Sequence, residues 1–214
     1  MDAHGLTPSR RTVLRRGGYL GAAALGIAAT AATAAPARAG GAGGSGAAVA
    51  ATTTDYAGAV WTPASSSNYT ASSRPGSYPI DYVVIHVTQE TYPDTIAIFQ
   101  DPSAKVSAHY VVRSADGFVG QCVREKNIAW HAGNWDYNTR SIGIEHEGWV
   151  DQPQYFTDAL YRASAALTAA ICRTYNVPRT RTHIIGHYEV PGATHTDPGP
   201  NWDWNRYMSL VNAS

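Results

Sequence analysis

Ile80-Asp81-Tyr82-Val83-Val84-Ile85-His86-Val87 is an almost unbroken β-branched apolar run, the pattern of a strand buried on both faces. Such a strand sits inside a sheet with a layer over each side, so the rest of the chain must supply partner strands and covering elements. Residues 93–100 predict a short helix, with Pro93 near its start and Ile96 and Phe99 three apart. Residues 106–113 and 118–123 predict two strands around Asp116-Gly117, a strong hairpin signal. Ser141-Ile142-Gly143-Ile144-Glu145 predicts another strand, and Thr182-His183-Ile184-Ile185-Gly186-His187 one more. Thr157 can cap a helix running to about Tyr175, with Leu160, Leu167 and Ile171 on one face and Pro178 beyond its end. A closing helix is expected over 202–211. Strands and helices alternate around one hairpin, so the expected fold class is α/β (α+β): a single domain with a mixed β-sheet flanked by helices.

The N-terminal residues belong to a different object. The chain balances 16 Lys+Arg against 16 Asp+Glu, but residues 1–39 hold five arginines and one acid, Asp2. The remainder, with 11 basic and 15 acidic residues, sits near −4. Neither part has the basic excess spread over a domain that marks a nucleic-acid binder, nor is there a long acidic tail. Arg10-Arg11 precedes a mildly apolar stretch, 17–35, that ends in Pro36-Ala37-Arg38-Ala39, a small-x-small cleavage pattern. The stretch is mainly Ala, Gly and Thr, too poor in Leu, Ile, Val and Phe to read as a membrane span. Residues 1–39 therefore resemble a cleavable twin-arginine signal peptide, removed near Ala39. That implies a secreted or cell-wall protein, with no stable membrane insertion once the signal is gone. Residues 40–54 read as a Gly/Ala-rich linker. Residues 55–214 are the folded domain, opening with an irregular arm packed by Tyr56, Trp61, Tyr69 and Tyr78. An exported protein meets an oxidising compartment, so Cys122 and Cys172 are expected to form a disulfide, the alternative being two separate buried thiols. Neither lies in a Cys-x-x-Cys pattern, so neither is read as a zinc ligand.

Seven histidines, His86, His109, His131, His146, His183, His187 and His195, fall in the domain. A lone histidine is more often structural than a ligand, so position must decide. His86 ends the buried run, where a sheet stops and a site begins. His187 follows Ile184-Ile185-Gly186 in the same way. Asp197 comes ten residues later in Thr196-Asp197-Pro198-Gly199-Pro200, a tight turn able to hold one carboxylate inward. Two His and one carboxylate, with a fourth position for water, form a common catalytic zinc set. His183 is set aside, because four strand residues span roughly 13 Å, too far to share an ion with His187. No His-Glu-x-x-His or Gly-x-Ser-x-Gly is present.

Val84-Ile85-His86, Trp130-His131-Ala132-Gly133, Ser141-Ile142-Gly143-Ile144-Glu145, Gly186-His187 and Thr196-Asp197-Pro198-Gly199-Pro200 occur in this order. Together they closely resemble the zinc-dependent N-acetylmuramoyl-L-alanine amidases related to the peptidoglycan-recognition proteins, over residues 79–207. The resemblance implies a mixed sheet with helices on its faces and a groove holding one Zn²⁺. It implies hydrolysis of the amide between N-acetylmuramic acid and L-alanine in peptidoglycan or muropeptides, with zinc-bound water as nucleophile, by a monomer. Carried over by position, the metal ligands are His86, His187 and Asp197, and the catalytic acid is Glu145. Strand parity agrees, placing Ile142 and Ile144 on one face and Gly143 and Glu145 on the other, where the glycine would leave room for substrate. Glu147 shares that parity and is the second choice. Many members carry lysine two residues before the third ligand; here it is His195, which would take over stabilising the oxyanion with a pH-dependent charge. Trp130 and His131 are expected to line the substrate groove, while His146 shares parity with the isoleucines and should be structural. His109 lies on a strand bordering the site, with its direction open. Two rivals remain: a binding module of the recognition type, which commonly lacks the third ligand, and a metallopeptidase acting on stem peptides. Asp197 favours an enzyme.

Overall fold

The structure is a computed structural model that describes residues 53–214. The expected signal peptide, 1–39, and most of the expected linker, 40–54, lie outside the described residues. In chain order the elements are β1 (Ala59–Trp61), β2 (Tyr69–Thr70), β3 (Tyr82–Val87), α1 (Tyr92–Gln100), β4 (Tyr110–Val112), β5 (Val119–Gln121), β6 (Ile128–Ala129), α2 (Trp135–Arg140), β7 (Ser141–His146), α3 (Asp158–Tyr175), β8 (Ile184–Gly186) and α4 (Trp204–Ala213). Six strands form one mixed sheet in the order β1-β5-β4-β7-β3-β8. Neighbours are parallel except β4 and β5, the hairpin marked by Asp116-Gly117. Gly117 has φ +72°, the left-handed conformation the turn needs. β2 and β6 make a separate antiparallel pair.

The alternating side chains of β3 explain why its sequence is apolar throughout. Val83, Ile85 and Val87 pack with Ile142, Ile144, Tyr110 and Ile184 beneath α3 and α4, while Val84 faces the opposite layer with Ala132 and Ile185. α3 begins where expected, with Thr157 Oγ1 accepting from Leu160 N at 3.1 Å, and ends at Asn176, whose φ of 56° breaks the helix. Leu160, Leu167 and Ile171 are fully buried, each worth about 1.5–3 kcal/mol relative to exposure. No helix among the described residues is long and apolar enough to cross a membrane.

Several local expectations shift. Residues 106–109 do not continue β4: Ser107 N and Oγ bond to Trp130 O and Asn68 O, which draws this stretch away from the hairpin. α4 starts after Asp203, whose carboxylate accepts from Arg206 N at 2.9 Å, so Trp202 is released into the core against His146 and Tyr161. The short α2 carries no apolar period to betray it, and Asn134 caps it instead. The arm before β3 is anchored more by buried polar groups than by aromatics. Asp55 accepts from Gln121 and from Glu125 N, Asn68 donates to Phe99 O and Asp101 O, and Arg74 donates to three carbonyls around α2 and to Glu125 O. Tyr56 and Tyr69 pack only at the edges of the core clusters, and Tyr78 is exposed.

The expected disulfide is not formed: Cys122 and Cys172 are both free and buried. Cys122 packs with Tyr92, Phe99 and Val111 on the α1 side of the sheet, and Cys172 packs from α3 on the other side. With the sheet between them, the geometry a bridge requires is out of reach. Burial raises both thiols, that of Cys172 to about 11.

Candidate metal centre

The parallel register of β7, β3 and β8 builds the site. His86 is paired with Glu145, and one residue past the last β3–β8 pair, Ile85 with Gly186, come His86 and His187. The two imidazole centroids lie 4.5 Å apart. Asp197 closes the set, with Oδ2 3.2 Å from His86 Nδ1 and Oδ1 3.1 Å from His187 Nδ1. The three side chains offer ligand atoms all within 4.8 Å of one another, and all three are buried. Asp197 is brought in because its carbonyl accepts from Tyr188 N and its carboxylate from Val87 N. Gly186 makes that approach possible: a Cβ there would lie 2.8 Å from Pro198 Cδ.

The donor chemistry fits zinc. Burial and the neighbouring His187 lower His86 to about 4 despite the opposing pull of Asp197, so its imidazole is neutral at ordinary pH. Burial would raise Asp197, but the adjacent His187 and His86 rings, 3.1 and 3.2 Å away, outweigh it and hold the carboxyl below the usual range. His187 Nε2–H points to Ala132 O at 3.3 Å, which leaves Nδ1 as the lone-pair nitrogen facing Asp197. Two imidazoles and a carboxylate, held on a rigid sheet end, match a three-ligand zinc site.

His183 sits at the other end of β8, hydrogen-bonded to Thr180 and Thr182 and stacked on Tyr82, in keeping with its exclusion. His195 is half-buried and stacks on His187, centroids 4.9 Å apart with planes 13° from parallel. Glu145 lies on the His86 face of the sheet and is half-buried. Trp130 is half-buried and donates Nε1–H to Thr70 Oγ1 at 3.0 Å, fastening its loop to β2. His146 is structural, as parity predicted: it donates Nδ1–H to His86 O at 2.7 Å and pairs with Ser164.

His131 is not a groove residue. It is 3% exposed, beneath the metal site, with Nδ1 2.9 Å from His86 Nε2. Its ring occupies the space over Gly143, where a Cβ would lie 2.5 Å from His131 Cγ. The glycine thus accommodates an imidazole, not substrate. His109 is buried next to it, with Nδ1 accepting from Gly143 N and Arg74 behind. Asn138 escaped sequence reasoning altogether: from inside α2 its Oδ1 accepts from both His131 N and Ala132 N. No motif marks an asparagine in a helix as the anchor of a loop.

Glu147, the second choice for the catalytic acid, is committed elsewhere. Its carboxylate accepts from Tyr92 N at 3.0 Å and Ser114 N at 2.7 Å, tying the start of α1 to the end of β4. Glu147→Ala should therefore lower stability by about 2 kcal/mol through two orphaned backbone donors, while kcat per folded molecule stays near the parent value. Denaturant unfolding and a rate assay on the same preparation separate the two. A large loss of kcat without loss of stability would return Glu147 to the mechanism.

Residues 76–200 match the family model described as N-acetylmuramoyl-L-alanine amidase. The chain is 37% identical over 175 residues to N-acetylmuramoyl-L-alanine amidase A of Achromobacter lyticus, covering 74% of this chain and 96% of that protein. It is 35% identical over 143 residues to the 1,6-anhydro-N-acetylmuramyl-L-alanine amidase AmpD of Haemophilus influenzae, covering 64% of this chain and 73% of the relative. Among solved structures, an AmpD derivative superimposes with a TM-score of 0.61 at 31% identity, over 73% of this chain and 96% of that one. With the family model spanning more than half of its length, this chain belongs to the N-acetylmuramoyl-L-alanine amidase family, Amidase_2.

Proposed function

We propose that this peptidoglycan amidase is an exported zinc hydrolase that cuts the amide between the lactyl group of N-acetylmuramic acid and L-alanine. The observation that carries the reading is the convergence of His86, His187 and Asp197 within 4.8 Å at a sheet end, in register with Glu145. His86, His187 and Asp197 would hold the ion. Bound there, Zn²⁺ supplies Lewis acidity, which brings the pKa of a coordinated water to about 7 and polarises a carbonyl. Glu145 takes the proton from the attacking water and returns it to the leaving amine of L-alanine. His195, stacked on His187, donates an N–H to the oxygen on which negative charge develops. His195→Ala should lower kcat about 10²-fold with a smaller change in KM, and an unchanged kcat would remove His195 from the mechanism. Asp197 supports hydrolysis over mere binding, since a recognition module has no need of a third ligand.

The test is digestion of peptidoglycan by the protein lacking residues 1–39, with product masses measured with and without chelator. Free stem peptides beginning at L-alanine, lost on chelation and restored by zinc, are expected. Cuts elsewhere in the stem would make the protein a metallopeptidase, and binding without cleavage a recognition module. Export rests on Arg10-Arg11 and Pro36-Ala37-Arg38-Ala39. The secreted protein should begin at Gly40, and retention of the uncut chain inside the cell would count against it.

A further inference from the structure

We infer that His131 is a positioning residue that selects the ligating tautomer of His86, an inference resting on the metal reading of His86, His187 and Asp197. Four groups in a line have only one consistent set of donors. Tyr137 O is a carbonyl and can only accept, and Ser141 Oγ lies 2.5 Å from it, so the single hydroxyl proton of Ser141 points there. Ser141 Oγ must then accept from His131 Nε2, 3.1 Å away, which puts the proton of His131 on Nε2. A neutral imidazole carries a single N–H, and here Nε2 holds it. His131 Nδ1 is therefore an acceptor, and its partner at 2.9 Å is His86 Nε2–H. The remaining nitrogen of His86, Nδ1, keeps its lone pair and faces Asp197 at 3.2 Å. A main-chain carbonyl two side chains away thus determines which nitrogen of His86 is offered to a cation.

The placement of His131 is built from several directions. Asn138 Oδ1 holds its backbone N–H, Ser141 holds Nε2, and Gly143 leaves its ring space that any side chain would occupy. The neighbouring Ala132 carbonyl orients His187 in the same sense, so consecutive residues of one loop set both imidazole ligands. Metal-bound histidines commonly have the other ring nitrogen tied in this way, and loss of the partner typically weakens binding about 10- to 100-fold.

The experiment measures zinc affinity, by competition with a chromophoric chelator, for the parent, His131→Leu and His131→Asn, with His86→Ala as control. Leucine and asparagine have the same branching and number of side-chain heavy atoms, but only asparagine offers an oxygen near the position of Nδ1. His131→Leu should bind zinc about 10- to 100-fold more weakly, and His131→Asn should recover most of the loss. The cobalt(II)-substituted protein adds a spectroscopic readout, with visible bands altered in the leucine variant and restored in the asparagine variant. Long-range ¹H–¹⁵N spectra of the metal-free parent need no variant, and should find both His131 and His86 protonated on Nε2. Equal affinity for parent and His131→Leu, equal weakening by leucine and asparagine, or His86 protonated on Nδ1 would each overturn the inference. A parent that binds no zinc, or a His86→Ala variant that binds it as tightly, would overturn the metal reading instead.

Discussion

Glu145→Gln is expected to lower kcat by about 10³-fold, within the range that general acid–base groups contribute, while zinc content and KM stay near the parent values. Glutamine keeps the size and some hydrogen bonding of the side chain but can neither accept nor return a proton. The register explains why zinc should remain. Glu145 stands beside His86 on the neighbouring strand, whereas the third ligand arrives from the loop after β8, where Asp197 contacts both histidines. Asp197→Ala is the contrast: zinc should be lost together with turnover, and excess zinc should restore part of it. Metal analysis and steady-state kinetics on the two variants distinguish the roles. If Glu145→Gln kept full turnover, Glu145 would not be the proton carrier. If Asp197→Ala retained stoichiometric zinc and full turnover, the ligand set would be wrong.

The second large effect is acid lability of the fold. His109, His131 and His146 are buried, and burial lowers each, that of His146 to about 3. In the unfolded chain the same residues titrate near 6.5. Below that pH the unfolded state binds more protons, so the stability these groups contribute is full above about pH 6.5. It is lost as pH falls toward their folded values, for His146 between 6.5 and about 3. Each group costs about 1.4 kcal/mol per pH unit over its window, and three together about 4 kcal/mol per unit. A domain at the low end of ordinary stability, about 5 kcal/mol, would then unfold at about pH 5, before most of its carboxylates are protonated. Denaturant unfolding of the metal-free protein at several pH values between 7.5 and 4.5 should give a slope of three protons or more, since His86, also lowered by burial, adds to these three. Stability unchanged from pH 6.5 to 5 would show that these imidazoles are not held neutral. His146→Gln should flatten the slope by about one proton.

Much of the site is written in local patterns. The apolar run of β3 dictates a central strand, and the position of His86 at its end follows directly. The alternation of β7 sends Ile142 and Ile144 into the core and Glu145 to the other face, a geometry that needs no tertiary information. The spacing argument that rejects His183 holds for the same reason, since four strand residues span more than twice the width of the ligand cluster. His131 and the cysteines were not legible in this way. His131 lies in a loop without period, and its direction depends on Asn138 in a helix of six residues. Redox compartment argues for a Cys122–Cys172 bridge, but which side of a sheet a residue lands on depends on every connection between the two.

The amino-acid sequence alone therefore determined the strands β3, β4, β5, β7 and β8, the long helix, the hairpin and the residues that end strands facing the site, because these follow from side-chain period and capping within a few neighbours. Only the tertiary structure decided that His131 lies under His86 and not in a groove, that Gly143 makes room for an imidazole, that Glu147 fastens α1, and that the two thiols lie on opposite sides of the sheet. Those outcomes depend on which distant backbone groups and layers meet each side chain, and a hydrogen-bond partner or an opposing face has no local signature in the chain.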